Sequence, residues 1–339
     1  MAVTLKQIAE HTGLSRQAVG FILHNQGSFK QDTRDRVIRA ARELGYRPNY
    51  AAQALLQNCF NAIALLQGTQ SFRSLVQGDL IVSISEAAER HGRHLSIATV
   101  RDEVFEDLDL VPKALRELMV DGLLINLNMD IPLAMLDLIA RNRIPTVWLN
   151  VKRETDAVHP DDVRASRDLV RAMMRKGHRR VMYVDSAYDT TFIHYSRKDR
   201  YDGYRLAMKD AGVKPPAKAY LGDGGARDEA FLAYVDDALS SRRRPDGIIA
   251  YSGDDIETIY HRAITRHGLR VPADLLLGSY AHVRTWPGLP IVHCAWPGVA
   301  LGAAAVEMLL KKIDRPATAL RSRAVRFDLV DNTDGKGPR

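Results

Sequence analysis

Residues 4–25 read TLKQIAEHTGLSRQAVGFILHN, two capped helical patterns held apart by one glycine. Thr4 followed three residues later by Gln7 is a capping box, in which the pair satisfies N–H groups that a helix start leaves open. Leu5, Ile8 and Ala9 then recur at i, i+3 and i+4, one face of a helix. Gly13 interrupts where a left-handed residue is tolerated. Ser15 caps again, and Ala18, Val19, Ile22 and Leu23 form a second stripe. Helices of about two turns bury little by themselves, so a third must pack across them. It follows as QDTRDRVIRAARELGYRP, with Val37, Ile38, Ala41 and Leu44 apolar and Gly45 and Pro48 as stop signals. Helix, turn, helix and a covering helix is a geometry that reads DNA. The alternative is a plain three-helix cap on a larger domain.

Charge separates the two. The 339-residue chain has a formal charge of +7, and residues 1–60 supply +4 of it, eight Lys and Arg against four acids. A basic face beside a helix-turn-helix is what phosphate contacts require. The length suits two or three domains, and no run of ~18 apolar residues could span a bilayer. With Cys59 and Cys294 the only cysteines, a reducing compartment fits better than a disulfide framework. The chain opens on a capped helix rather than a basic-then-apolar secretory signal, so a cytoplasmic location is expected.

RPNYAAQALLQNCFN comes next, uncharged from Pro48 to Asn61 and alanine-rich. A helix this short forms only against a partner, which makes residues 49–60 a hinge candidate. Beyond it strands and helices alternate. AIALLQ, HLSIATV, DGLLINL and PTVWLN read as strands between helical stretches, VKRETDAVHPDD as a loop, and the rhythm restarts with RRVMYVDS, KAYLG, GIIAYS and LLLGSY. A last helix, PGVALGAAAVEMLLKKI, precedes a last strand, AVRFDLV. Such alternation predicts an α/β fold of doubly wound parallel sheets. Two series parted near Pro160 predict two lobes whose strand ends face a cleft.

The wording VTLKQIAEHTGLS, TRDRVIRAARELGYRPN, GHRRVMYV, RYDGYRLAM and HGLRVPAD, in this order, resembles the lactose/galactose repressor (LacI-type) family of bacterial transcription regulators, from Val3 to about Val330. The resemblance implies a headpiece at 1–48, a hinge helix at 49–60, and a two-lobed, periplasmic-binding-protein-like core at 61–330. The N-lobe would be 61–160 plus 291–322, the C-lobe 161–290 plus 323–330, and 331–339 a disordered tail. It further implies a homodimer on a near-palindromic double-stranded operator, and a small effector, a carbohydrate by family habit, in the cleft.

On this resemblance SRQAVGFIL is the recognition helix. Arg16 and Gln17 fall at base-reading positions, and their chemistry suits guanine and adenine. Phe21 stands where the family has a polar or basic residue and would touch a thymine methyl or pack inward. Thr4, Ser15 and Asn25 are backbone-contact candidates, since short polar groups near helix ends reach phosphate oxygens. Leu55 matches the leucine wedged into the minor groove, with Gln53 where arginine is common. In the cleft, Arg200 of RYDGY and Asp254 of YSGDD match the two ligand-holding positions, able to bind vicinal hydroxyls as donor and acceptor. Asp161 matches the acid near the lobe crossover. FRSLVQ replaces the family's first cleft stretch, making Arg73 and Gln77 candidates. Ala281 and Gly224 replace an acid and a stacking ring. Trp148, Trp286 and Trp296 lie near predicted strand ends, where an indole can hold the apolar face of a sugar.

A transporter's solute-binding protein or a sugar-processing enzyme could share the core. The headpiece argues against the first. Against the second, the chain carries no Walker loop, GxGxxG turn, GxSxG elbow or HExxH helix. No metal, cofactor or catalytic residue is expected.

Overall fold

The computed structural model describes residues 3–24, 26–47, 54, 59–69, 77–101, 111–117, 119–128, 131–186, 194–214, 219–222, 229–281 and 289–334. The chain divides into two compact units, residues 1–60 and 61–339.

The first unit is three helices, α1 (Leu5–Thr12), α2 (Arg16–Leu23) and α3 (Gln31–Glu43). The capping box forms: Gln7 Oε1 accepts from the Thr4 backbone N–H at 2.8 Å. Gly13 takes φ +69°, and its N–H returns to the Ala9 carbonyl, closing α1. Ile8, Ala9, Val19, Ile22, Val37, Ala40 and Ala41 form one small core. Those are the stripes that periodicity marks, except that Ile38 is exposed while Ala40 packs inward. The proposed hinge falls largely outside the described residues, as do Gln53 and Leu55.

The second unit holds two six-stranded sheets. The first has the order β11-β5-β4-β3-β1-β2, formed by β1 (Ala62–Gly68), β2 (His94–Val100), β3 (Gly122–Asn126), β4 (Thr146–Leu149), β5 (Ala157–Pro160) and β11 (Arg323–Val325). The second has the order β12-β10-β9-β8-β6-β7, formed by β6 (Val181–Asp185), β7 (Tyr220–Leu221), β8 (Gly247–Ala250), β9 (Leu276–Ala281), β10 (Val292–Ala295) and β12 (Asp328–Asp331). All pairings are parallel except β10 with β12. Strands β3, β4, β6, β8 and β10 are buried at every residue, the mark of sheets covered on both faces.

Eight further helices are described: α4 (Gly78–Arg90), α5 (Lys113–Arg116), α6 (Leu133–Arg141), α7 (Asp162–Arg175), α8 (Tyr195–Asp210), α9 (Glu229–Ser240), α10 (Gly253–Thr265) and α11 (Gly298–Asp314). Helices α4 and α11 lie so close that a Cβ at Gly302 would come within 3.0 Å of the Ser83 side chain. Ser83 Oγ donates to the Val299 carbonyl at 2.6 Å. This pair covers the first sheet, with Leu80, Ile84, Leu301, Ala305 and Leu309 in its core. Helix α7 covers the second through Leu169, Val170 and Met173.

Four readings of the sequence need correction. The lobes exchange their last strands: β10, placed with the N-lobe in 291–322, is hydrogen-bonded to β9 in the second sheet. Conversely AVRFDLV, read as one strand within a C-lobe segment 323–330, splits. Its first part, β11, pairs with β5 and its second, β12, with β10, so the chain crosses between lobes at Arg326 and Phe327. Short apolar runs state that a strand exists and not which sheet it joins. The stretch AVHP, read within a loop, is β5, fully bonded between β4 and β11. The tail is ordered further than expected: Asp331 pairs opposite Val292, and Asn332 N–H donates to the Ile291 carbonyl at 3.0 Å.

Candidate functional site

Helix α2 buries Val19 and Ile22 and turns Arg16, Gln17 and Phe21 to the exterior. Gln17 and Phe21, four residues apart, share that outer face with Arg16 at its first turn. Phe21 is 40% exposed, which settles its direction as outward. Ser15 Oγ accepts from Ala18 N–H at 3.1 Å, so its hydroxyl hydrogen remains available to a phosphate oxygen. Thr4 differs. Its hydroxyl donates to Gln7 Oε1 at 3.1 Å, committing its single hydrogen to the helix cap, so Thr4 is a capping residue in this arrangement rather than a phosphate donor. Asn25 lies outside the described residues.

The second polar site lies at the carboxyl ends of the strands, where the lobes meet. Arg200, on α8, points its Nε at Asp162 Oδ1, 2.7 Å away. A terminal nitrogen donates to the Tyr251 carbonyl at 3.3 Å. Its guanidinium lies 4.2 Å from the Tyr280 ring centroid and 4.7 Å from that of Tyr251, a double cation–π arrangement. Arg200 and Asp162 are 7% and 1% exposed. Burial works against the Arg200 charge, yet the facing carboxylate more than offsets it and raises the arginine's pKa. Burial raises that of Asp162, with Arg200 opposing. The other carboxylate oxygen of Asp162 is buried without a hydrogen-bond partner among the described residues, and so is Asn128 Oδ1, just beyond β3.

One turn before Arg200, Arg197 pairs with Asp185 at the end of β6 and lies 4.4 Å from the Tyr251 ring. Asp255, buried at the start of α10, accepts from Ser186 N–H at 3.2 Å. Asp254 beside it is exposed, three residues beyond Tyr251 in the chain. Gln77 precedes α4 half-buried, with no cap bond from its side chain.

Several expectations shift. The resemblance makes Arg200 a ligand-holding residue, but Asp162 and Tyr251 take up much of its guanidinium. The acid at the crossover is Asp162 rather than Asp161, whose Oδ1 caps α7 by accepting from Arg164 N–H at 3.2 Å. Trp148 is 5% exposed and faces Arg153, 4.8 Å away, apart from the cleft residues. Trp296 packs on the first lobe's core and edge-on to Phe327 at 6.2 Å, both in crossover segments. Arg73 and Trp286 lie outside the described residues. Sequence reasoning missed Arg197, Asp185 and Tyr251. The three-residue spacing of Arg197 and Arg200 on one helix was the available signal.

Across the crossover, His194 Nδ1 accepts from Ser196 N–H at 3.3 Å, which leaves Nε2–H to donate to the Asn150 carbonyl at 3.1 Å. Lys152 reaches Asp199 at 2.6 Å. Burial lowers the His194 pKa to about 4, the Asn150 bond opposing and Arg197 and Arg200 assisting.

Residues 4–49 match the family described as bacterial regulatory proteins, lacI family, and residues 170–331 match the periplasmic binding protein-like domain. Among curated proteins, the transcriptional regulator RegA of Clostridium saccharobutylicum is 24% identical over 98% of each chain. The transcriptional repressor PurR of Klebsiella pneumoniae (strain 342) is 26% identical over 97% of this chain and 95% of its own. The solved lac repressor dimer bound to operator and the anti-inducer ONPF superposes with a TM-score of 0.72, at 22% identity over 98% of both chains. The regulator CelR in complex with cellobiose gives 0.61, at 22% identity over 97% of this chain and 98% of that one. At such identity the structures speak for the fold, and the headpiece match speaks for the family. The chain thus carries a helix-turn-helix headpiece of the lacI family of bacterial regulatory proteins over residues 4–49 and a periplasmic binding protein-like domain over residues 170–331.

Proposed function

We propose that this chain is a transcriptional repressor that acts as a homodimer in the cytoplasm, binds a near-palindromic operator, and changes operator affinity when a hydroxyl-rich effector enters the cleft. The observation that carries the reading is the outer face of α2, where Arg16, Gln17 and Phe21 stand exposed beside the capped Ser15. Arg16 and Gln17 read base edges, Phe21 contacts a thymine methyl, and Ser15 holds a phosphate. Leu55 and Gln53 are assigned to the minor groove by their place in the motif.

The cleft supports a polyol or sugar because it offers both halves of the required chemistry. Asp162 Oδ2 and Asn128 Oδ1 are buried acceptors in want of donors, and Asp254 adds a carboxylate at the rim. Arg197 and the remaining N–H of Arg200 supply donors. A hydroxyl group is donor and acceptor at once and fits between them. One structural relative, CelR, holds cellobiose, a sugar of this chemistry. An effector controls affinity only by binding the operator-competent and incompetent states unequally.

Selection of bound sequences from a random duplex pool by the full-length protein tests the first half. The expected result is enrichment of a near-palindrome with a flexible central step. No enrichment, alone or with a panel of sugars, would overturn it. Asp254→Ala should then abolish the sugar response while sparing DNA binding; an unchanged dose response removes Asp254 from the site.

A further inference from the structure

A second cavity, of about 890 Å³, opens on the first lobe, and no residue of the cleft lines it. Thr146 and Trp148, two apart on β4, supply one wall. The end of α6 contributes Ile139 and the turn beyond it Arg143; the β4–β5 loop contributes Arg153, and the chain beyond α11 Pro316. The volume is that of a small-molecule site, and its apolar wall with a few charged groups is the usual composition of one.

The charges do not balance. Three cations line the cavity, Arg143, Arg153 and Lys312, with a single acid, Asp156. That acid is fully engaged: Lys312 Nζ reaches one oxygen at 3.1 Å and Leu320 N–H the other at 2.9 Å. Lys312 also donates to the Thr318 carbonyl at 2.9 Å. Arg143 and Arg153 have no carboxylate partner among the described residues, and Arg153 stacks its guanidinium on Trp148, 4.8 Å from the ring centroid. Both arginines are exposed beside one concave, indole-walled space, and an anion held there would meet two guanidinium groups.

We propose that this cavity is a second ligand site, which takes a flat aromatic carboxylate between Arg143 and Arg153 with its ring against Trp148 and Ile139. An aromatic face suits an indole wall, and a carboxylate suits a pair of guanidinium forks. The β4–β5 loop connects it to the rest of the core. Arg153 and Asp156 line the cavity while Asn150 and Lys152 of the same loop hold His194 and Asp199 of the other lobe. A ligand that fixes this loop therefore bears on the contact between lobes.

The test is a titration of the full-length protein with 2-naphthoate, benzoate and inorganic phosphate, followed by hydrogen exchange at saturation. Saturable naphthoate binding is expected, tighter than phosphate, with protection in residues 139–156. Arg143→Gln/Arg153→Gln should weaken it about ten-fold or more, while Asp254→Asn leaves it unchanged. Failure to saturate at millimolar concentration, equal binding by the double variant, or protection confined to 251–256 and 197–203 would overturn the proposal. Phosphate binding as tightly as naphthoate would do the same, since the indole wall would then contribute nothing.

Discussion

Asp162 sets the position of Arg200 from below, and Tyr280 and Tyr251 flank it. Removing the carboxylate leaves a buried guanidinium without its counter-charge, which costs about 3–5 kcal/mol. Asp162→Ala is therefore expected to lower the urea midpoint with little change in m, and Asp162→Asn, which keeps an acceptor for Nε, to lower it less. His194 gives a second test. Its folded pKa of about 4 lies below the ordinary 6.5, so between those values the unfolded chain binds a proton that the folded chain refuses. Stability from this group is complete above pH 6.5 and is lost as pH falls to about 4, on the order of 3 kcal/mol in all. His194→Gln should flatten that part of the stability-versus-pH curve; an unaltered slope would show that another group sets it. Arg16→Ala should relax preference at one operator position and leave the dimer intact, checked by repeating the duplex selection and by sedimentation. Gly20, on the same helix, could accept a Cβ with only Leu5 Cδ1 at 3.9 Å, so packing does not require a glycine there.

Helices α7 and α8 touch at Gly203, where a Cβ would lie 2.4 Å from the Val163 carbonyl oxygen and 2.7 Å from Ser166 Cβ. The obstacle is backbone, which cannot swing aside as a side-chain end can. Gly203→Ala should part the two helices and lower the melting temperature by several degrees, whereas Gly302→Ala, where the neighbours stand further off, Ser83 at 3.0 Å and the Ile84 nitrogen at 3.1 Å, should cost less. The glycine of RYDGY is thus a packing residue one turn from Arg200, and motif and geometry agree. That agreement runs through the helices. Capped amphipathic patterns place α1, α2 and α3, because a stripe, a cap and a stop are all local. Strand β5 escapes, and β11 is not told apart from β12, for the opposite reason: AVHP and RAV are short and polar-flanked, and only neighbours distant in sequence decide where they pair. The same limit shifted the crossover acid by one residue. Asp161 and Asp162 are alike as letters, and only the start of α7 decides that one caps the helix while the other meets Arg200. Trp148 illustrates the aromatic case, since an indole in a buried strand looks the same in sequence whichever cavity it faces.

The two units have separate cores. Ile8, Val19 and Val37 centre one; Leu124, Leu309 and their neighbours, with Leu169, Tyr183 and Ile249, centre those of the other. A core of some sixty residues buries a smaller share of its surface than one several times larger and is correspondingly marginal, so the headpiece should open at lower free energy than the sheets. Native-state hydrogen exchange of the full chain should show α1–α3 amides exchanging well before those of β1, β3, β6 and β8. Operator duplex should slow the headpiece amides first, because a ligand that binds one folded unit stabilises that unit by mass action. A chain beginning at Asn61 should then keep the melting temperature of the core and its response to the cleft effector while losing operator binding. If the shortened chain melted lower, the cores would be coupled through contacts that neither unit contains alone, and headpiece opening would report on the cleft directly. If it melted as before, control of DNA affinity would have to pass through residues 49–60, and substitutions in that segment should uncouple effector from operator without weakening the binding of either taken separately.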